Sequence, residues 1–138
     1  MKILLTGLTG YIAQRLLPVL LANGHEIVCC VRDVNRFNKQ KYSSQNLIVI
    51  EVDFLKKESL LQIPTDIDIA YYLIHSMSTQ SGDFENMEEI CASTFKNRIE
   101  QTTAKQVIYL SGISNAADLS KHLSSRKNVE AVLSGSAF

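Results

Sequence analysis

A short apolar run, Lys2–Thr6, passes directly into Gly7-Leu8-Thr9-Gly10-Tyr11-Ile12-Ala13, and that junction constrains the fold more than any other part of the chain. The run reads as a strand. After it, apolar side chains recur at Ile12, Leu16, Leu17, Leu20 and Leu21, the spacing of one helix face. Gly7 permits the tight turn between the two. Gly10 lacks a Cβ, so the backbone there can come close to a ligand, and Ala13 lets the helix lie close to the sheet. A helix starting at this point aims free N–H groups and a partial positive charge back at the turn. The junction therefore predicts a cradle for the pyrophosphate of a dinucleotide, built from Gly7, Thr9, Gly10, Tyr11 and Ile12.

The same alternation continues along the chain. Asn23-Gly24 ends the first helix, and Pro18 inside it predicts a kink, since an interior proline costs about 3 kcal/mol. Glu26–Val31 reads as a second strand, 33–46 as a short helix and loop, and Leu47–Val52 as a third strand. Leu55–Gln62 predicts a brief helix closed by Pro64, and Ile67–Ile74 a fourth strand. Asp83–Thr103 predicts a long helix with Phe84, Met87, Ile90, Cys91, Phe95 and Ile99 on one face. Gln106–Leu110 is a fifth strand, and a last helix near 122–134 follows a loop rich in Ser, Asn and Ala. Apolar strands alternating with helices predict an α/β chain, a doubly wound parallel sheet of the Rossmann type in the order 3-2-1-4-5. Residues 1–138 are long enough for one such domain with a core of its own.

Composition narrows the partners. Fourteen Lys and Arg balance fourteen Asp and Glu, which argues against nucleic acid or an anionic membrane surface as a partner. The Leu16–Ala22 run is too short to span a bilayer, and no secretory leader develops after Met1. The cysteines, Cys29, Cys30 and Cys91, are odd in number with two adjacent, which fits neither a disulfide framework nor a zinc site. Reduced thiols in a cytoplasmic protein are the expectation, with no metal.

The end of the second strand sets the cofactor preference. An acidic residue there favours the free 2′-hydroxyl of NAD, whereas an arginine suits the 2′-phosphate of NADP. The chain reads Cys30-Val31-Arg32-Asp33, with Arg36 one turn on, which predicts NADP with NAD as a possible alternative. The plainer reading makes Arg32 a solvated charge and Asp33 the cap of the next helix.

Thr6-Gly7-Leu8-Thr9-Gly10-Tyr11-Ile12, Val31-Arg32-Asp33 and Val107-Ile108-Tyr109-Leu110-Ser111-Gly112 together resemble the short-chain dehydrogenase/reductase superfamily. They are most similar to its atypical branch, the NmrA-like NAD(P)-binding proteins often labelled nucleoside-diphosphate-sugar epimerases. Ala70–Met77 and Lys121–Arg126 are similar to a subgroup of that branch. The resemblance implies that Asp53, with Phe54 beside it, meets the adenine. It implies that Leu73, Ile74 and His75 run beside the adenine ribose and the nicotinamide half. Ser111 falls at the catalytic Ser/Thr of the superfamily. The tyrosine and the lysine four residues later that normally follow are replaced here by His122 and Arg126. A histidine can act as an acid near neutral pH; an arginine can hold a ribose hydroxyl but does not release its proton.

Two functions fit these residues. One is an NADP-dependent oxidoreductase or sugar-nucleotide epimerase acting on a small molecule, with Ser111, His122 and Arg126 at the reacting end. The other is an NADP-responsive sensor without catalysis, which the replaced Tyr and Lys favour; an inactive cofactor-binding fragment is the third. Family members usually continue beyond the last helix into further strands and a substrate region, so that helix is expected to be poorly buried here. The long 83–103 helix could serve as the face of a homodimer.

Overall fold

The computed structural model describes residues 1–42, 44–75, 83–112 and 121–135, and of Phe84, Lys121 and His122 only the backbone. Five strands form one parallel sheet: β1 (Lys2–Leu5), β2 (Glu26–Val31), β3 (Leu47–Glu51), β4 (Ile69–Tyr72) and β5 (Gln106–Tyr109). Their order is β3-β2-β1-β4-β5, as the alternation of elements predicts. Leu4 sits in register with Val28 on one side and Ala70 on the other, so β1 is the centre of the sheet.

Period-two side chains divide the core between the two faces. Ile3, Leu5, Ile27, Cys29 and Val31 pack with Ala13, Leu17 and Leu20 of α1 (Tyr11–Ala22). Leu4, Val28, Cys30 and Ala70 face the other way, towards α2 (Phe84–Ile99) and α3 (Lys121–Ser134). Each fully buried Leu or Ile contributes about 1.5–3 kcal/mol. Cys29 and Cys30 therefore lie in opposite cores. All three cysteines are free and buried, and burial raises the Cys29 thiol to about 12 and the Cys91 thiol to about 11.

Several boundaries differ from the sequence expectations. The chain between β2 and β3 makes two 3-10 turns, Val34–Arg36 and Lys39–Lys41, rather than an α-helix. The brief helix before Pro64 is also 3-10, Lys57–Gln62. α2 stops at Ile99 rather than Thr103, because the following residues bond elsewhere. The Thr103 amide donates to Thr65 O at 2.8 Å and its hydroxyl to Ile67 O at 3.0 Å. Ile90 does not share the buried face of α2; it is 40% exposed, whereas Cys91, Ala92, Phe95 and Ile99 are buried.

α1 runs through Pro18 as one helix. Pro18 and Gln14 are both exposed, so water can reach the Gln14 carbonyl that the proline leaves without a donor. The helix closes with His25 N donating to Leu20 O and Gly24 N to Leu21 O, Gly24 taking φ +75°. The last helix is better covered than expected. α3 buries Ser125, Val129 and Leu133 in the core it shares with α2 and the sheet. Among the described residues no helix is long and apolar enough to cross a membrane.

Candidate functional site

The crossovers reverse direction between β1 and β4. The β1–β2 and β2–β3 connections pack on one face of the sheet, and the β3–β4 and β4–β5 connections on the other. A crevice opens beyond the strand ends at such a point. Thr6 and Leu73 line its floor. Thr6, fully buried, donates its hydroxyl to Tyr71 O at 3.0 Å and accepts the Leu73 amide at 3.0 Å.

The glycine turn rises directly from this floor. Gly7 has φ +69°, and a Cβ on it would lie 2.1 Å from Leu73 O. Gly10 has an ordinary extended backbone, φ −80°, so conformation alone does not demand glycine there. It caps α1 without a side-chain acceptor, and the first turn carries no acid. The amides of Tyr11, Ile12 and Ala13 open the helix and have no acceptor within it. Thr9 is exposed and its carbonyl takes a bond from Gln14 Nε2 at 3.2 Å. Tyr11 is 68% exposed, with the Arg15 guanidinium 4.7 Å from its ring centre. Ile12 is likewise exposed, whereas Ala13 is buried against the sheet.

On the β2 side, Arg32 and Arg36 are exposed and make no ion pair among the described residues. Asp33 accepts the Asn35 amide at 2.9 Å, so it does cap the turn that follows. Asp53 is half-buried. Its Oδ1 accepts Leu55 N at 3.0 Å, and Lys56 Nζ lies 3.8 Å from Oδ2. Ser59 Oγ holds the backbone of Asp53 from both sides, at 2.9 and 2.8 Å. Phe54 turns inward, its ring 6.0 Å from that of Phe95, so its side chain belongs to the core.

On the β4–β5 side, Leu73 is buried, Ile74 packs partly against the α2 core, and His75 keeps contact with solvent. Neighbouring protein strips His75 of part of its hydration, and with the Arg126 charge this holds the imidazole below its ordinary 6.5; Glu88 pulls the other way. Arg126 of α3 lies over Gly112, where a Cβ would come 3.6 Å from Nη1 and 2.8 Å from Leu123 Cδ2. Ser111 donates to Glu130 Oε2 at 3.0 Å and borders a cavity of about 360 Å³ along the outer edge of β5. His122 falls in the first turn of α3, and its side chain lies outside the described residues.

The sequence matches the NAD dependent epimerase/dehydratase family over residues 3–121. The chain belongs to that family. No curated protein matches it. A nucleoside-diphosphate-sugar epimerase from Staphylococcus aureus superposes with a TM-score of 0.80 at 18% identity, over 100% of this chain and 48% of that one. Triphenylmethane reductase from Citrobacter sp., complexed with NADP(H), gives 0.78 at 15% identity, over 98% and 46%. UDP-N-acetylglucosamine 4-epimerase from Bacillus cereus gives 0.73 at 16%, over 97% and 54%. At these identities the likeness shows the fold, and the chain spans about half the length of those structures.

As an epimerase/dehydratase family member, the chain presents a cradle that fits a dinucleotide. A Cβ on Gly10 would stand 3.1 Å from Gly7 O, at the start of the uncapped helix, and glycine keeps that place free of a side chain. Two contributors escape the sequence reading. Thr6 lies inside the motif, but its bonds to β4 depend on a partner more than sixty residues away. Glu88 had a visible signal, an acid on the same helix face as Cys91, Ala92, Phe95 and Ile99.

Proposed function

We propose that the chain binds NADP(H) across the carboxyl ends of its strands and is the cofactor half of an oxidoreductase or a sugar-nucleotide epimerase. The observation that carries this is the Gly7–Gly10 turn, which opens the uncapped start of α1 at the β1–β4 crossing. In this reading the amides after Gly10, with Thr9, Tyr11 and Ile12 around them, hold the pyrophosphate. Arg32 and Arg36 face the 2′-phosphate. Asp53 and the backbone at Phe54 border the adenine, and Leu73, Ile74 and His75 border the ribose and nicotinamide.

Bound there, the cofactor supplies hydride transfer. The remaining work falls to side chains on α3 and after β5. His122 gives a proton to the substrate oxygen and Arg126 fixes the nicotinamide ribose. Ser111 already donates its proton to Glu130, so it can polarise a carbonyl only after releasing that bond. The substrate would be a small molecule rather than nucleic acid or membrane, in keeping with the balanced charge. Buried, unpaired thiols support a cytoplasmic setting. Residues 1–138 act as one cofactor domain. Self-association through α2 would centre on Ile90, which is exposed among Asn86, Glu89, Ser93 and Asn97.

Calorimetry with NADP⁺ and NAD⁺, followed by NADPH oxidation against aldehydes, ketones and nucleotide sugars, tests this function. Saturable NADP⁺ binding and turnover that falls in His122→Ala support it. Absence of binding to either cofactor overturns it, and binding with cofactor-dependent partner capture but no turnover would replace the enzyme by the sensor.

A further inference from the structure

β3 ends at Glu51, and the chain then turns away while carrying Asp53. The Val52 amide still reaches the sheet, donating to Val31 O at 2.8 Å, one residue before Arg32. Beyond it the turn closes on itself. Asp53 Oδ1 accepts Leu55 N, the Lys56 amide donates to Asp53 O at 2.8 Å, and Ser59 Oγ accepts the Asp53 amide. These bonds give the turn its shape. They do not fix where that shape sits against the rest of the molecule.

α2 does so through a buried threonine. The Thr94 hydroxyl lies 2.6 Å from Phe54 O, 2.9 Å from Ile90 O and 3.1 Å from Cys91 O. A hydroxyl has one proton to give. Ile90 O and Cys91 O already take amides from the next turn of their own helix. Phe54 O is the nearest of the three and lies forty residues away in sequence, so the proton goes there. The Phe54 ring packs 6.0 Å from that of Phe95, so adjacent residues of α2 hold both the backbone and the side chain of Phe54. α2 is itself anchored on its other flank, where buried Ser125 of α3 donates its hydroxyl to Glu88 Oε2. A cavity of about 260 Å³ separates Lys57 from Asn86, Glu89, Ser93 and Asn97 of α2, so side-chain packing does not replace the Thr94 bond on that side.

We propose that Thr94 is a positioning residue for the adenine end of the cofactor site: by holding Phe54 O against α2, it keeps the part-exposed Asp53 carboxylate at one place beyond the end of β3. The proposal rests on the reading of Asp53 as the contact to adenine. A carboxylate only accepts hydrogen bonds, so Asp53 reads adenine through its amino group. Hypoxanthine carries a carbonyl oxygen at that position and offers no donor there. The discrimination between the two bases is as sharp as the carboxylate is fixed, because a site built around a hydrogen bond rejects the analogue that lacks it.

The test compares NADP⁺ with its hypoxanthine analogue by calorimetry on the intact chain. The wild type is expected to bind NADP⁺ more tightly. Thr94→Val keeps the side-chain shape and removes the donor. It should cut that ratio of affinities by about threefold or more, the worth of one hydrogen bond. Thr94→Ala removes the same donor from a smaller side chain and should do the same. Thr94→Ser retains the hydroxyl and should restore the ratio. Folded Val and Ala variants that keep the wild-type ratio overturn the proposal. So does an equal loss of affinity for both nucleotides, the mark of a purely structural residue. A wild type that binds neither nucleotide sinks the cofactor reading itself, and one that binds both equally removes Asp53 from the adenine. Both of those results come from the wild type alone, which separates them from a failure of Thr94.

Discussion

Gly7 lies so close to Leu73 that a Cβ on it would come within 2.1 Å of the Leu73 carbonyl oxygen. The first glycine of the turn thus serves the sheet before it serves any ligand. It lets the chain leave β1 while touching the end of β4, and that contact closes the floor of the crevice. Gly10, three residues later, meets only Gly7 O, at 3.1 Å, and faces the mouth of α1.

The two glycines should fail differently. Gly7→Ala would place a side chain at φ +69°, costing about 1–3 kcal/mol in the backbone alone, and would also collide with β4. Urea unfolding should show that loss of stability. Gly10→Ala should cost little stability but weaken NADP⁺ binding about tenfold or more, roughly 1.4 kcal/mol. Equal cofactor affinity in Gly10→Ala and wild type would place the phosphates elsewhere.

Thr6→Val keeps the shape of a fully buried residue and removes its hydroxyl. The Leu73 amide then loses its acceptor, and Tyr71 O keeps only the Thr6 backbone amide, at 3.2 Å. A buried donor left unmade costs about 1–3 kcal/mol. The midpoint of chemical denaturation should fall accordingly, and an unchanged midpoint would show that Thr6 does not staple β1 to β4.

In the proposed function Arg32 is the residue expected to set the preference for NADP. Arg32→Asp should cut the discrimination between NADP⁺ and NAD⁺ by about 1.5–3 kcal/mol, the range of charge-assisted hydrogen bonds. Calorimetry on both cofactors measures it. A wild-type chain that binds the two equally would remove the basis of the assignment.

At the opposite end of the sheet, Lys2 Nζ reaches Asp66 Oδ2 at 3.0 Å and Glu26 Oε1 at 3.1 Å. The hydrogen bond to Lys2 holds the Asp66 carboxyl below its ordinary 3.8, and the Asp66 hydrogen bond raises Lys2 above its ordinary 10.5. The Asp66 contribution is therefore present above pH 3.8 and lost as pH falls through its folded value. The Lys2 contribution is present below pH 10.5 and lost as pH rises through its folded value. Asp66→Asn should flatten both limbs of the stability–pH curve, slightly, since the pair is screened by solvent. Curves that superpose at both extremes would show that the pair contributes nothing.

Sequence alone determined the alternation of elements, the order of the sheet and the place of the glycine turn between β1 and α1, because each is written in short-range patterns. Period-two strands, helical spacing and the Gly7–Gly10 turn act within a few residues of themselves, and parallel crossovers have one favoured hand. Tertiary structure decided what such patterns do not contain. α2 ends at Ile99 because Thr103 finds acceptors at Thr65 and Ile67. Ile90 lies outside because the core it was expected to join is filled by Cys91, Ala92, Phe95 and Ile99. Thr6 and Leu73, or Glu88 and Ser125, meet only when distant segments pack. The cost of burying a hydroxyl or a carboxylate is settled by the partner that arrives, and a linear pattern does not say which partner that is.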